Sequence, residues 1–124
     1  NRENALSQEN LGWRLENMFY IELLRRAAKE FDDVYYYKPS SQSKEVDFVI
    51  CRQDKAKELV QVAYEIKTVK TFNRETLALV QASDYLRCDN LTLVCFEESR
   101  DEIVKGKTIH IKNALEWSLG SEKV

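Results

Sequence analysis

A single α/β domain on a mixed sheet, with elements running α, β, β, β, α, β, β, α, is the fold that the sequence predicts. Three observations predict it. The chain opens with a long apolar period of helical spacing, two alternating segments follow within hairpin distance, and a helical stretch then leads into a continuous apolar run. A helix placed between two strands is a crossover of the kind that builds parallel pairs, whereas a hairpin builds an antiparallel one. At 124 residues the chain matches the usual size of one domain, about 100 to 150 residues.

The elements follow in order. Residues 1–10 are polar without an apolar period, and they open without an initiating methionine, so they read as a linker from something upstream of a domain at 11–124. In 11–31 the apolar residues Leu11, Leu15, Met18, Phe19, Leu23 and Ala27 recur at helical spacing with no proline, which predicts a first helix carrying Glu16 in its early turns. Residues 34–37 are aromatic and β-branched, and they end at the turn-forming run Pro39-Ser40-Ser41-Gln42-Ser43. The segments 45–52 and 59–68 alternate around a charged tip near Asp54-Lys55-Ala56-Lys57, predicting an antiparallel hairpin. A second helix is expected over 73–87, capped by Thr71 or Asn73. Residues 91–96 have the length and apolarity of a strand buried on both faces. A short fifth strand at 108–111 and a short helix at 114–119, stopped by Gly120, complete the series.

Composition narrows the function classes. No apolar run approaches the roughly 20 residues that span a bilayer, and no signal segment opens the chain, so no membrane partner is expected. Cys51, Cys88 and Cys95 are odd in number and lack metal spacing, which points to reduced thiols packed as small apolar groups in a cytoplasmic protein. The net charge of −2 argues against broad nonspecific nucleic-acid binding, although Arg25, Arg26, Lys67, Lys70 and Arg74 would form a basic patch if the fold gathered them.

The chemistry-bearing residues lie on the predicted hairpin. In Glu45-Val46-Asp47-Phe48-Val49-Ile50 and in Leu59-Val60-Gln61-Val62-Ala63-Tyr64-Glu65-Ile66-Lys67 polar residues hold one parity and apolar residues the other, so Asp47, Glu65 and Lys67 are expected on one face. An acid on one strand and acid-x-lysine on the next suit a metal-dependent phosphodiesterase: carboxylates hold Mg²⁺ or Mn²⁺, and the ammonium stabilises charge or positions water. Each residue has a plainer alternative. Asp47 competes with an ordinary solvent-facing carboxylate, Glu16 with a surface glutamate, and Lys67 with a strand-end lysine that discourages edge pairing. Gln61 offers an amide oxygen to a metal but no charge, so structural hydrogen bonding is its simpler role. Arg74 and Lys70, near the predicted start of the second helix, are candidates for phosphate contact, and a salt bridge from Arg74 to Glu75 or Asp84 is the alternative. His110 has no second His or Cys beside it in sequence, so it carries neither a metal nor a triad reading. Trp13, Trp117 and the run Tyr35-Tyr36-Tyr37 read as packing, with base stacking as the alternative.

The order of elements, with Asp47 on the second strand and acid-x-lysine on the third, resembles the restriction-endonuclease-like αβββαβ core of the PD-(D/E)XK nuclease superfamily. Several strings narrow this: Gly12-Trp13-Arg14-Leu15-Glu16-Asn17, Glu22-Leu23-Leu24-Arg25-Arg26, Tyr35-Tyr36-Tyr37, Lys44-Glu45-Val46-Asp47-Phe48-Val49-Ile50, Leu59-Val60-Gln61-Val62 and Arg74-Glu75. In that order they are similar to the C-terminal domain of a large family of bacterial and archaeal AAA-type ATPases, over roughly 11–119, nearly the whole chain. The resemblance implies an upstream ATPase in cis, DNA as a possible partner, and compatibility with a homodimer. The chain itself has three glycines and no Gly-x-x-x-x-Gly-Lys-Ser/Thr, so no nucleotide cofactor is expected here.

The resemblance also carries a superfamily site of Glu16, Asp47 and a third-strand acid with its lysine. By similarity to the ATPase family, Gln61-Val62-Ala63 occupies that third-strand position, with Ala63 where the lysine should stand. Glu65-Ile66-Lys67 lies four residues on, a displacement of roughly 13 Å along a strand, whereas Mg²⁺ needs ligands at about 2.1 Å. A hairpin centred near Lys55 or Ala56 brings Asp47 opposite Ala63 or Glu65, one centred on Asp54 brings it opposite Gln61, and a bulge changes the count again. Two functions follow: a divalent-metal-dependent endodeoxyribonuclease, or a catalytically degenerate module that binds DNA or a protein for its ATPase.

Overall fold

The computed structural model describes residues 8–37 and 46–120. Helix α1 (Gln8–Glu30) precedes strand β1 (Asp33–Tyr37), the hairpin β2 (Val46–Arg52) and β3 (Lys55–Val62), helix α2 (Val69–Leu86), strand β4 (Leu91–Cys95), the hairpin β5 (Arg100–Val104) and β6 (Lys107–Asn113), and helix α3 (Ala114–Gly120). The strands form one six-stranded mixed sheet in the order β1-β2-β3-β4-β6-β5. β1, β2 and β3 are antiparallel, β3-β4 and β4-β6 are parallel, and β5 closes antiparallel on β6.

Two apolar layers hold helices on both faces. Leu79, Val80 and Ala82 of α2 pack with Val46, Val49, Leu59, Leu91, Leu93, Ile109 and Ile111. On the other face Phe19 and Leu23 of α1, with Ala114 of α3, pack with Phe48, Ile50, Val60, Val62 and Val94. The central strands are therefore buried on both sides, which explains the solid apolar runs in β2 and β4.

Local chemistry sets the ends. α1 stops at Phe31, a non-glycine residue at φ 59°, where the Asp32 N–H donates to the Ala27 carbonyl at 2.9 Å in a Schellman closure. α2 starts earlier than its predicted cap. Thr68 is the cap, its hydroxyl accepting from the Thr71 N–H at 3.1 Å, and the helix ends at a left-handed Arg87. At the β2-β3 tip Gln53 and Asp54 both have positive φ, 51° and 66°, giving a two-residue turn that pairs Arg52 with Lys55. Pairing then shifts between Ile50↔Glu58 and Cys51↔Ala56, leaving Lys57 as a bulge.

Several expectations need correction. Gln8 to Asn10 belong to α1, not to a linker. Within the apolar period of α1, Phe19, Leu23 and Ala27 are buried and Met18 is 67% exposed. The third strand runs Lys55–Val62, so it stops before Glu65 and Lys67. A strand at Arg100–Val104 was not foreseen, which makes Lys107–Asn113 the sixth. Gly120 is the last residue of α3, not the stop beyond it. The side chains of Leu11, Trp13 and Leu15, the Pro39 to Ser43 connection and Glu45 lie outside the described residues.

Candidate functional site

The site predicted on the hairpin is built around the end of β3. Extending the pairs Phe48↔Val60 and Val49↔Leu59 by one step puts Asp47 opposite Gln61, the register of a hairpin centred on Asp54. Side chains confirm the neighbourhood. Gln61 Oε1 accepts from the Asp47 main-chain N–H at 2.7 Å, and Asp47 Oδ2 accepts from the Val62 N–H at 2.8 Å. Gln61 is 2% exposed, and its Nε2 donates to Glu75 Oε2 at 3.1 Å. Glu75, which the sequence offers only as a partner for Arg74, thus joins β3 to α2, and Arg74 also lies 3.6 Å from it.

Glu65 and Lys67 sit on the link from β3 to α2, not on the strand. The link continues briefly along β4, with the Ala63 N–H donating to the Val94 carbonyl at 2.9 Å and the Phe96 N–H to the Tyr64 carbonyl at 3.2 Å. It then turns inward at Ile66, which is buried and whose N–H donates to Glu97. Lys67 Nζ lies 3.8 Å from Glu65, with the lysine largely exposed.

A cleft of about 340 Å³ gathers Glu16 of α1, Glu65 and Lys67 of the link, and Arg74 and Glu75 of α2. Val62, whose N–H meets Asp47, lies on its wall. The fold therefore brings Glu16, Glu65, Lys67 and Arg74 to one place, and fixes Asp47 and Gln61 at its edge. Lys70 is exposed in the first turn of α2 and is not among the lining residues, while Arg74 is the sixth residue of α2, beyond the first-turn amides. Lys70 therefore stands at the helix start as expected, whereas Arg74 faces the cleft one turn further on.

The oxygens that would face a divalent ion are in part already engaged within the protein. Among the described residues no group of three or more His, Cys, Asp and Glu is placed to hold a metal. The Gln61 oxygen already accepts from Asp47, and one Asp47 oxygen accepts from Val62. Mg²⁺ coordination asks for near-octahedral oxygen donors, and an uncharged amide at Gln61 brings no charge to offset the ion.

Other predicted residues fall elsewhere. His110 on β6 pairs across the sheet with Asp101 on β5 at 2.8 Å. Tyr35 and Tyr36 are exposed on the edge strand, and Tyr37 lies 6.3 Å from Tyr85, its hydroxyl pKa raised by burial. Trp117 packs on Phe19 at 4.5 Å and carries Arg26 over its ring at 3.6 Å. The three cysteines are free thiols whose pKa values burial raises, so they are poor nucleophiles. Among the described residues no helix is long and apolar enough to cross a membrane.

Residues 11–114 match the family model described as "Domain of unknown function (DUF4143)". The chain belongs to this DUF4143 family. An uncharacterised protein of Methanocaldococcus jannaschii is 34% identical over 117 residues, covering 90% of this chain. The match spans only 25% of that protein's length. This DUF4143 domain thus corresponds to about a quarter of a longer relative.

Proposed function

We propose that this domain is a catalytically silent, nuclease-like module that docks onto the remainder of a longer, ATPase-containing protein. The observation that carries the reading is Gln61: the residue opposite Asp47 is an uncharged amide, closed between the Asp47 N–H and the Glu75 carboxylate. An acid there would add a metal ligand, whereas an amide bonded at both ends serves as a structural strut. Support for the nuclease-like part of the reading comes from the motifs together with an α, β, β, β, α, β order of elements on one mixed six-stranded sheet.

Docking is supported by the outward face of α1. Met18, Ile21 and Leu24 recur every three residues there, at 67%, 68% and 43% exposure, in addition to the buried Phe19 and Leu23. Leu115 of α3 and Phe96 extend the same apolar region, and a small pocket joins Met18, Phe96, Leu115 and Trp117. Large apolar patches of this kind mark interaction surfaces. The occupant we assign is the rest of the polypeptide, because the relative is four times the length of the shared region.

A second reading, the Mg²⁺- or Mn²⁺-dependent endonuclease, is favoured by one observation, the convergence of Glu16, Glu65, Lys67 and Arg74 on one cleft. Nicking of supercoiled plasmid in millimolar Mn²⁺ separates the two. The silent module leaves the plasmid intact, and nicking that disappears in both Asp47→Ala and Glu65→Ala would establish the endonuclease instead.

A further inference from the structure

A second and larger groove lies at the other end of β3, bounded by the last turns of α1, the start of β3, the end of β6 and α3. It encloses about 770 Å³, within the roughly 300 to 1,000 Å³ of small-ligand sites, and Glu58 on its floor is roughly 13 Å along the strand from Val62. It is separate from the Asp47 site and shares only Trp117 with the apolar region beside α1.

Its lining is charged and unequally satisfied. Five cations, Arg25, Arg26, Lys29, Lys57 and Lys112, meet three carboxylates, Glu30, Glu58 and Glu116. Each carboxylate already has a partner: Glu30 with Arg52 at 3.1 Å, Glu58 with the Thr92 hydroxyl at 2.7 Å, and Glu116 with the Ser99 hydroxyl at 3.2 Å. Lys57 is held by Asp32 at 2.8 Å. Among the described residues the side chains of Lys29 and Lys112 have no hydrogen bond or ion pair, so the groove retains two uncommitted cations from different elements. In a chain of net charge −2 that concentration is uneven.

The walls are fixed before any ligand arrives. Arg26 lies over the Trp117 ring, its Nε donates to Glu22 at 2.8 Å and its Nη2 to the Trp117 carbonyl at 2.6 Å, which ties α1 to α3. Preorganised walls lower the ordering cost of binding. We propose that this groove binds a nucleotide unit, with Lys29 and Lys112 taking its phosphate and Glu58 or Glu116 accepting hydrogen bonds from sugar hydroxyls or base amines. The paired charges favour such a ligand over a simple polyanion, which the three carboxylates would repel. Because the chain has no glycine-rich phosphate loop, side-chain cations rather than backbone amides would hold the phosphate.

The unit can come from a single strand of nucleic acid or from a free mononucleotide. Fluorescence anisotropy of a labelled single-stranded 12-mer, with AMP as competitor, distinguishes them: displacement by AMP identifies the free nucleotide, and strand binding that AMP does not displace identifies the polymer. Lys29→Glu combined with Lys112→Glu should weaken binding at least tenfold, and Lys29→Gln with Lys112→Gln should lower the salt slope by about 1.4 for a single strand. Lys105→Glu, in the exposed turn between β5 and β6, should bind as the unsubstituted chain does. Failure of both probes to bind, or equal affinity in the Lys29/Lys112 double variants, would overturn the proposal. This outcome is independent of the metal and plasmid tests of the Asp47 site.

Discussion

Asp47 and Gln61 face each other across β2 and β3 and are tied by a 2.7 Å hydrogen bond from the Asp47 main-chain N–H to the Gln61 side-chain oxygen. The amide nitrogen of the same glutamine reaches Glu75, so one buried side chain links two strands and a helix. A buried amide with both ends bonded is costly to remove, because its partners lose hydrogen bonds that water cannot replace. Gln61→Leu is therefore expected to lower unfolding stability by about 2–4 kcal/mol, counting unsatisfied groups at Asp47 and Glu75. Urea denaturation checks this.

Gln61→Glu tests the same position by charge. It replaces a donor to Glu75 with a second carboxylate, near Asp47 as well, and like charges at such range disfavour ionisation. The variant is expected to be less stable at pH 7 than the original chain and to recover on lowering the pH. Paired with Ala63→Lys it restores the acid-x-lysine pattern, and its thermal midpoint is then expected to rise with millimolar Mn²⁺ while that of the original chain does not move.

Phe31 holds the left-handed closing position of α1 with its ring 92% exposed. A side chain gains nothing there, and the left-handed conformation costs a non-glycine residue about 1 kcal/mol. Phe31→Gly is expected to raise stability by roughly 0.5–1 kcal/mol, read from the denaturation midpoint.

Asp32 provides the pH handle. Hydrogen bonding from Arg52, reinforced by Lys57, lowers its carboxyl pKa against the opposing effect of burial. A lowered folded-state pKa contributes stability above the unfolded value, near 3.9, and loses it as pH falls through the lower folded value. The stability difference between the original chain and Asp32→Asn is thus expected to be constant from pH 7 to about 5 and to shrink toward zero on acidification, in urea midpoints measured along that series.

The outward face of α1 makes a complementary test. Met18→Ser with Ile21→Ser removes exposed apolar groups, so the stability of this domain is expected to change by no more than about 0.5 kcal/mol. Within a full-length family member the same pair is expected to loosen the domain from its neighbours, seen as increased protease cleavage between them.

Much of the fold was legible in the sequence because its signals are local. The helical period of α1, the antiparallel hairpin, the crossover into the parallel pair β3-β4 and the doubly buried β4 all follow from periodicity. Glu65-Ile66-Lys67 misled because it alternates like a strand. Ile66 is buried where the link turns into α2, and its N–H is met by a Glu97 side chain instead of a ladder partner. β5 escaped notice because Arg100, Asp101 and Glu102 give an edge strand no apolar alternation, its pairing set instead by the Lys105-Gly106 turn, both residues at positive φ. At the site, two positive φ values at Gln53 and Asp54 and a bulge at Lys57 decide that Gln61 faces Asp47, and neither is readable from composition. The Lys29-Lys112 groove is assembled from separate elements, so no contiguous motif announces it.

Whether Gln61 closes this site to metal is tested most directly by calorimetric titration of the purified chain with Mn²⁺. No binding heat up to millimolar Mn²⁺ is the expected result. Stoichiometric uptake that vanishes in Asp47→Ala would contradict it.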